Sequence, residues 1–178
     1  MRVLQVVKGL DLGGAERVVT DLAVHLAARG PEVEVAVING RRRALLPVLQ
    51  QAGIAVHALP GTDLVGPRGV LALRRLIRSG NYDLVHAHGP VPLVLCRPFS
   101  PVPVVGTMHS VWGGLRRPSR WAAALLCGRV PLVAVAEAVR SRLPQRLARN
   151  TTVIPHGVDL DAVAAACALA RHDESDQV

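Results

Sequence analysis

Two rhythms of apolar and polar positions alternate along this chain. Short apolar runs occur at RVLQVV (2–7), EVEVAVI (32–38), IAVHAL (54–59), DLVHA (83–87), VPVVGTM (102–108), LVAVA (132–136) and TVI (152–154). Their length and β-branched content are those of buried strands. Between them the apolar residues recur at helical spacing. After Gly13-Gly14, the residues Ala15, Val18, Val19, Leu22, Ala23, Leu26 and Ala27 form one stripe of period 3.6. Arg29-Gly30 then supply a basic end and a stop. Further helices are predicted over 43–52, 69–79 and 119–128, with one or two turns over 91–97. A helix over 137–148 must bend or split at Pro144, and a last one, capped by Asp159 or Asp161, runs to about residue 170.

Strands that alternate with helices and are apolar on both faces form a parallel sheet covered on both sides. With right-handed crossovers, seven such strands predict an α/β, doubly wound, Rossmann-like fold. Ligands of such a sheet bind beyond the carboxyl ends of its strands. The residues just after each strand are therefore the candidates for chemistry.

Composition narrows the function classes. The chain has 178 residues, enough for one well-buried domain. Its aromatic set is Trp112, Trp121, Tyr82 and Phe99, so the core is built from Leu, Val, Ile and Ala. Recognition by base stacking lacks its residues, and no nucleic-acid partner is expected. No apolar run has the length of a membrane span, and Lys8 and Asp11 interrupt any signal-like stretch. Cys96, Cys127 and Cys167 are odd in number and widely spaced, which reads as reduced thiols and a cytoplasmic setting. The net charge of +8 is unevenly placed: residues 101–150 carry eight arginines against Glu137, and 151–178 carry Arg171 against five acids. The arginines read either as solvated helix faces or as a surface for anionic lipid or a phosphorylated substrate.

Four stations stand at the strand ends. Gly9 to Arg17 (GLDLGGAER) places two glycines at a helix start, which suits either a tight turn or the close approach of a phosphate. It is neither G-x-G-x-x-G nor a P-loop. His86 and His88 stand two apart on one strand and so share a face, with His88 at the strand end and His86 deeper in the sheet. His109, in GTMHS, can donate to a hydroxyl or take a proton. VIPHGVD (153–159) leaves the last strand through Pro155 and Gly157, the form of an exit toward a hinge. No metal-ligand set, carboxylate pair or nucleophile elbow is complete.

GGAER, DLVHAHG, TMHS and VIPHGVD, in this order, resemble the N-terminal half of family 4 glycosyltransferases of the GT-B fold. The resemblance covers residues 1–162, as an acceptor-side domain. Residues 163–178 then read as a truncated crossover helix or tail with the C-terminal donor domain absent: either the chain is a fragment, or a separate donor domain is supplied as a partner, or the domain has kept its fold and lost its chemistry. It implies that Gly13 and Gly14 place backbone N–H groups at a donor diphosphate, and that Glu16 and His88 lie on the acceptor and sugar side. His109 matches the family's active-site histidine. The implied reaction is retaining transfer from a nucleotide sugar to an acceptor, with no metal and no cofactor, and without turnover by this half alone. Membrane-associated relatives add an anionic membrane surface, at the inner face, as an expected partner. Two positions depart from the pattern: His156 replaces the usual asparagine, and Val135-Ala136-Glu137 lacks the usual serine. The alternative class is a non-catalytic module that holds a phosphorylated sugar or lipid in the same cleft.

Overall fold

The structure, a computed structural model, describes residues 1–40, 43–60, 66–110, 126–157 and 160. The strands are β1 (Arg2–Val7), β2 (Glu32–Val37), β3 (Ala55–Ala58), β4 (Leu84–His88), β5 (Val104–Met108), β6 (Leu132–Ala134) and β7 (Thr151–Val153). The helices are α1 (Gly14–Ala27), α2 (Leu46–Gln51), α3 (Pro67–Ser79), α4 (Pro90–Cys96), α5 (Glu137–Arg140) and α6 (Gln145–Ala148). The strands form one sheet in the order β3-β2-β1-β4-β5-β6-β7, and every neighbouring pair is parallel. The doubly wound, Rossmann-like sheet expected from the alternation is the one observed.

The pleat sends alternate residues to opposite faces, and each face has its own core. Val7, Val33, Val35 and Val37 pack with Val19 and Ala23 of α1 and Leu49 of α2. Leu4, Val6, Ala36 and Val85 pack with Leu73 and Ile77 of α3, Leu93 of α4 and Leu147 of α6. The helices thus change face where β1 meets β4, and this reversal opens a crevice at the carboxyl ends of those two strands.

The boundaries depart from the sequence pattern where proline intervenes. β5 begins at Val104 and not at residue 102, because Pro103 has no N–H for the ladder, although its carbonyl accepts from Val85 N at 3.0 Å. The span 137–148 is two four-residue turns, α5 and α6, divided at Pro144. Pro144 also starts α6, since its carbonyl accepts from Leu147 N at 2.8 Å and Ala148 N at 3.0 Å. α2 begins at Leu46, later than residue 43, with proline in its first turn. The helix expected over 119–128 lies mostly outside the described residues, and so does the one capped by Asp159 or Asp161.

One partly buried carboxylate braces the first three strands. Glu34 of β2 accepts from Tyr82 Oη at 2.7 Å and from Arg2 of β1, and lies 2.6 Å from His57 Nε2 of β3. Burial acts to raise its pKa, but the hydrogen bonds from Tyr82, Arg2 and His57 outweigh burial and hold it at about 2.

Candidate functional site

Parallel strands bring the ends of β1, β4, β5 and β7 to one edge, and polar side chains gather there. Gln5 sits in β1 opposite His86 of β4, and it points to the face that carries α1. Two residues on, His88 closes β4. Its Nε2 lies 2.9 Å from Gln5 Oε1, so a hydrogen bond spans the crevice between β1 and β4. His88 Nδ1 lies 3.1 Å from His109 Nε2, and His109 Nδ1 lies 3.2 Å from His156 Nε2. The result is a chain of four side chains from the buried sheet to the surface. Gln5 is fully buried, His88 is 4% exposed, and His156 is exposed. His86 stands beside this chain, its ring 4.1 Å from that of His88, and its Nε2 is 2.8 Å from Thr107 Oγ1.

Local backbone geometry holds His88 in place. Gly89 has φ 93° and ψ 172°, a region open in practice to glycine alone. This turn lets Gly89 N donate to Thr107 O at 2.8 Å and starts α4 at once. A side chain at position 89 would strain the bend that fixes His88 against Gln5.

Burial governs the charge of the histidines. It pushes His86 down to about 4. His88 is driven well below its usual value by burial and then by the neighbouring His86, His109 and His156. His109 is lowered to about 4 by burial and then by His156 and His86. These three imidazoles are therefore neutral at neutral pH and act through hydrogen bonds, not charge.

The loop after β1 reaches the same edge. Gly13 is extended and precedes α1, and a Cβ on it would run into the Glu16 carboxylate. Glu16 thus folds back over Gly13 at the positive end of the α1 dipole. Gly14 has open space where a Cβ would stand. Of the residues singled out from sequence, His88 and His109 are brought into direct contact, with His156 as a third partner. Gly13, Gly14 and Glu16 form a separate group on the same edge. Gln5 was not singled out. Its signal was the one amide inside an otherwise apolar strand, RVLQVV.

A cavity of about 370 Å³ lies elsewhere, between α2 and the strands β2 and β3, lined by Leu10, Val37, Arg43, Leu46 and Ile54 among others. It does not include the histidines, and Arg43 there donates to Gly40 O. Among the described residues no group of three His, Cys, Asp or Glu side chains is arranged to hold a metal ion. Among them, too, no helix is long and apolar enough to cross a membrane.

The chain is 27% identical over 174 residues to the phosphatidyl-myo-inositol mannosyltransferase of Mycobacterium tuberculosis, which matches 88% of this chain and 44% of that protein. It spans less than half the length of this curated relative. Among solved structures, Anabaena Alr3699/HepE in complex with UDP and glucose superposes with a TM-score of 0.73 at 23% identity, over 90% of this chain and 46% of that one. A glycosyltransferase from Rickettsia africae gives 0.72 at 22% identity, over 90% and 44%. The structural likenesses show a shared fold. The model of Glycosyltransferase Family 4 matches residues 12–162, a span that holds GGAER, DLVHAHG, TMHS and VIPHGVD complete, and the chain belongs to that family.

Proposed function

We propose that this chain is the acceptor-side half of a retaining glycosyltransferase that takes a nucleotide-sugar donor. The observation that carries the reading is the position of His109, at the carboxyl edge beside the β1–β4 crevice and joined to His88 and His156. In this reading residues 1–162 form the half-domain, and IPHGVD leads toward the half that binds the donor. His109 faces the transferred sugar, and His88 and Glu16 serve the acceptor and sugar side. Gly14 offers its backbone N–H to the diphosphate, and Gly13, whose N–H donates to Asp11 O at 3.0 Å, must turn that N–H from Asp11 to do the same. There the α1 dipole favours the charge that develops as the bond to the sugar breaks. The sugar arrives already activated by its nucleotide, so no cofactor or metal enters the reading.

Support for the donor class comes from the Anabaena neighbour, solved with UDP and glucose. Support for an anionic lipid acceptor comes from the mycobacterial relative, named for phosphatidyl-myo-inositol. Arg129, Arg140, Arg142, Arg146 and Arg149 are exposed on this chain, a basic surface suited to the cytoplasmic face of an anionic bilayer.

The test is a transfer assay on the 178-residue chain, with a panel of nucleotide sugars and phosphatidylinositol vesicles, alone and with a relative's donor-binding half. The expected result is no transfer by the chain alone and transfer by the combination. Transfer by the purified chain alone would overturn the division into halves. Binding of a phosphorylated sugar or lipid, with no transfer in any combination, would favour the non-catalytic module.

A further inference from the structure

The three hydrogen bonds of the Gln5–His88–His109–His156 chain share one polarity, and its buried end decides it. A carboxamide oxygen only accepts, so His88 Nε2, 2.9 Å from Gln5 Oε1, carries a proton. A neutral imidazole has one N–H, which leaves His88 Nδ1 as an acceptor. His109 Nε2, 3.1 Å away, must then donate to it. The His109 Nδ1 lone pair remains, and it accepts from His156 Nε2 at 3.2 Å. Burial, which keeps His88 and His109 neutral, is what makes the tautomer a defined property of each ring.

We propose that Gln5 and His88 are positioning residues that lock His109 as its Nε2–H tautomer, so that His109 presents a bare Nδ1 to the cleft and recognises a ligand hydroxyl that displaces His156. This rests on the reading of His109 as the sugar-facing group. His156 is the exposed member and the only one of the four outside a strand or its immediate end, so it is the partner that yields. A sugar hydroxyl replaces it as a donor. A phosphate or carboxylate, which at neutral pH mainly accepts, meets a lone pair and is turned away. Selection at His109 is therefore for neutral hydroxyls, and an anion is left to the glycine loop before α1.

Gln5 also marks how the opposite polarity would arise. Its Nε2 is buried with no hydrogen-bond partner among the described residues. An amide turned over would donate to His88, reverse every bond in the chain and make His109 Nδ1 a donor.

Long-range proton–nitrogen NMR correlations of the imidazole rings in the ¹⁵N-labelled chain distinguish the two. His88 and His109 are expected as Nε2–H forms with unprotonated Nδ1. Gln5→Met, similar in length but unable to bond His88 in the same way, should let His109 populate both tautomers, with folding checked by backbone amide spectra. His156→Ala, at the exposed end, should leave the His109 tautomer unchanged and keeps the test open if Gln5→Met does not fold. In that variant, added glucose should shift His109 Nδ1 and inorganic phosphate should not. An Nδ1–H form of His109 in the unaltered chain overturns the proposal. So does a tautomer that changes with His156→Ala and not with a folded Gln5→Met, or a response to phosphate alone. None of these readouts needs turnover, so a failed transfer assay and a wrong tautomer are separate results.

Discussion

His109 Nδ1 stands 3.2 Å from His156 Nε2, although 47 residues separate the two in sequence. The contact joins the end of β5 to the exit from β7, across the end of β6. It forms at the position where the family resemblance leads one to expect asparagine. Imidazole keeps a donor there and adds a ring 5.2 Å from that of His109, so both nitrogens of His109 are engaged within the chain. A ligand at His109 must therefore compete with His156.

The two central histidines should separate by phenotype. When a donor-binding half supports transfer, His109→Ala is expected to lower turnover at least about tenfold, the scale of losing one positioned hydrogen bond or proton. His86→Ala, which removes the partner of Thr107 inside the sheet, should mainly lower the melting temperature. Steady-state rates and thermal melts of both variants check this. Equal loss of rate with equal melting would mean that the sugar-facing role belongs to neither ring in particular.

Stability should fall in two steps on acidification. His86 and His109 have folded pKa values near 4, below the ordinary 6.5, so the unfolded chain binds more protons between those values. Their contribution is complete above 6.5 and is lost as the pH falls toward 4. Glu34, held at about 2 against 4.5, has the same sign and loses its contribution between 4.5 and 2. At ~1.4 kcal/mol per unit, the carboxylate brace is worth up to ~3 kcal/mol at neutral pH. Urea unfolding across this range should show that Glu34→Gln removes the lower step only and His86→Gln reduces the upper one.

Gly89→Ala should cost ~1–3 kcal/mol, the scale of forcing a side chain into a region that glycine alone tolerates. The same change should disturb the His88–Gln5 bond. Chemical denaturation measures the first effect and imidazole NMR the second. An unchanged midpoint with unchanged His88 resonances would show that the bend at 89 is not under constraint.

The chain is expected to bind anionic and not zwitterionic vesicles, with binding that weakens steeply as salt rises. Lipid surfaces attract basic residues by roughly 1 kcal/mol each. Arg116, Arg117 and Arg120 lie outside the described residues, while Arg142, Arg146 and Arg149 are exposed on and beside α6. Replacing each set of three by Gln, one set at a time, and measuring vesicle cosedimentation shows which one carries the attraction. Binding that ignores lipid charge and salt would return the arginines to an ordinary solvated surface.

Much of the fold was legible along the chain, because a strand buried on both faces and a helix buried on one leave different periodicities. RVLQVV and the stripe from Ala15 to Ala27 announced β1 and α1 within a residue or two. Pro144 announced the break between α5 and α6. The strand-end histidines were legible for a topological reason: parallel strands deliver their carboxyl ends to one edge, whatever the connections between them. The polarity of the site was not legible. Gln5 gave no motif, and its role depends on β1 lying beside β4 and not beside another strand. The same holds for Glu34, whose partners Arg2, His57 and Tyr82 come from three other parts of the chain. Period and composition are local properties, so the sequence alone determined the elements and the edge at which the chemistry gathers. Which side chains meet across the sheet, and which nitrogen of His109 faces outward, depended on strand order and register. Those are set by the packing of distant segments, and only the tertiary structure decided them.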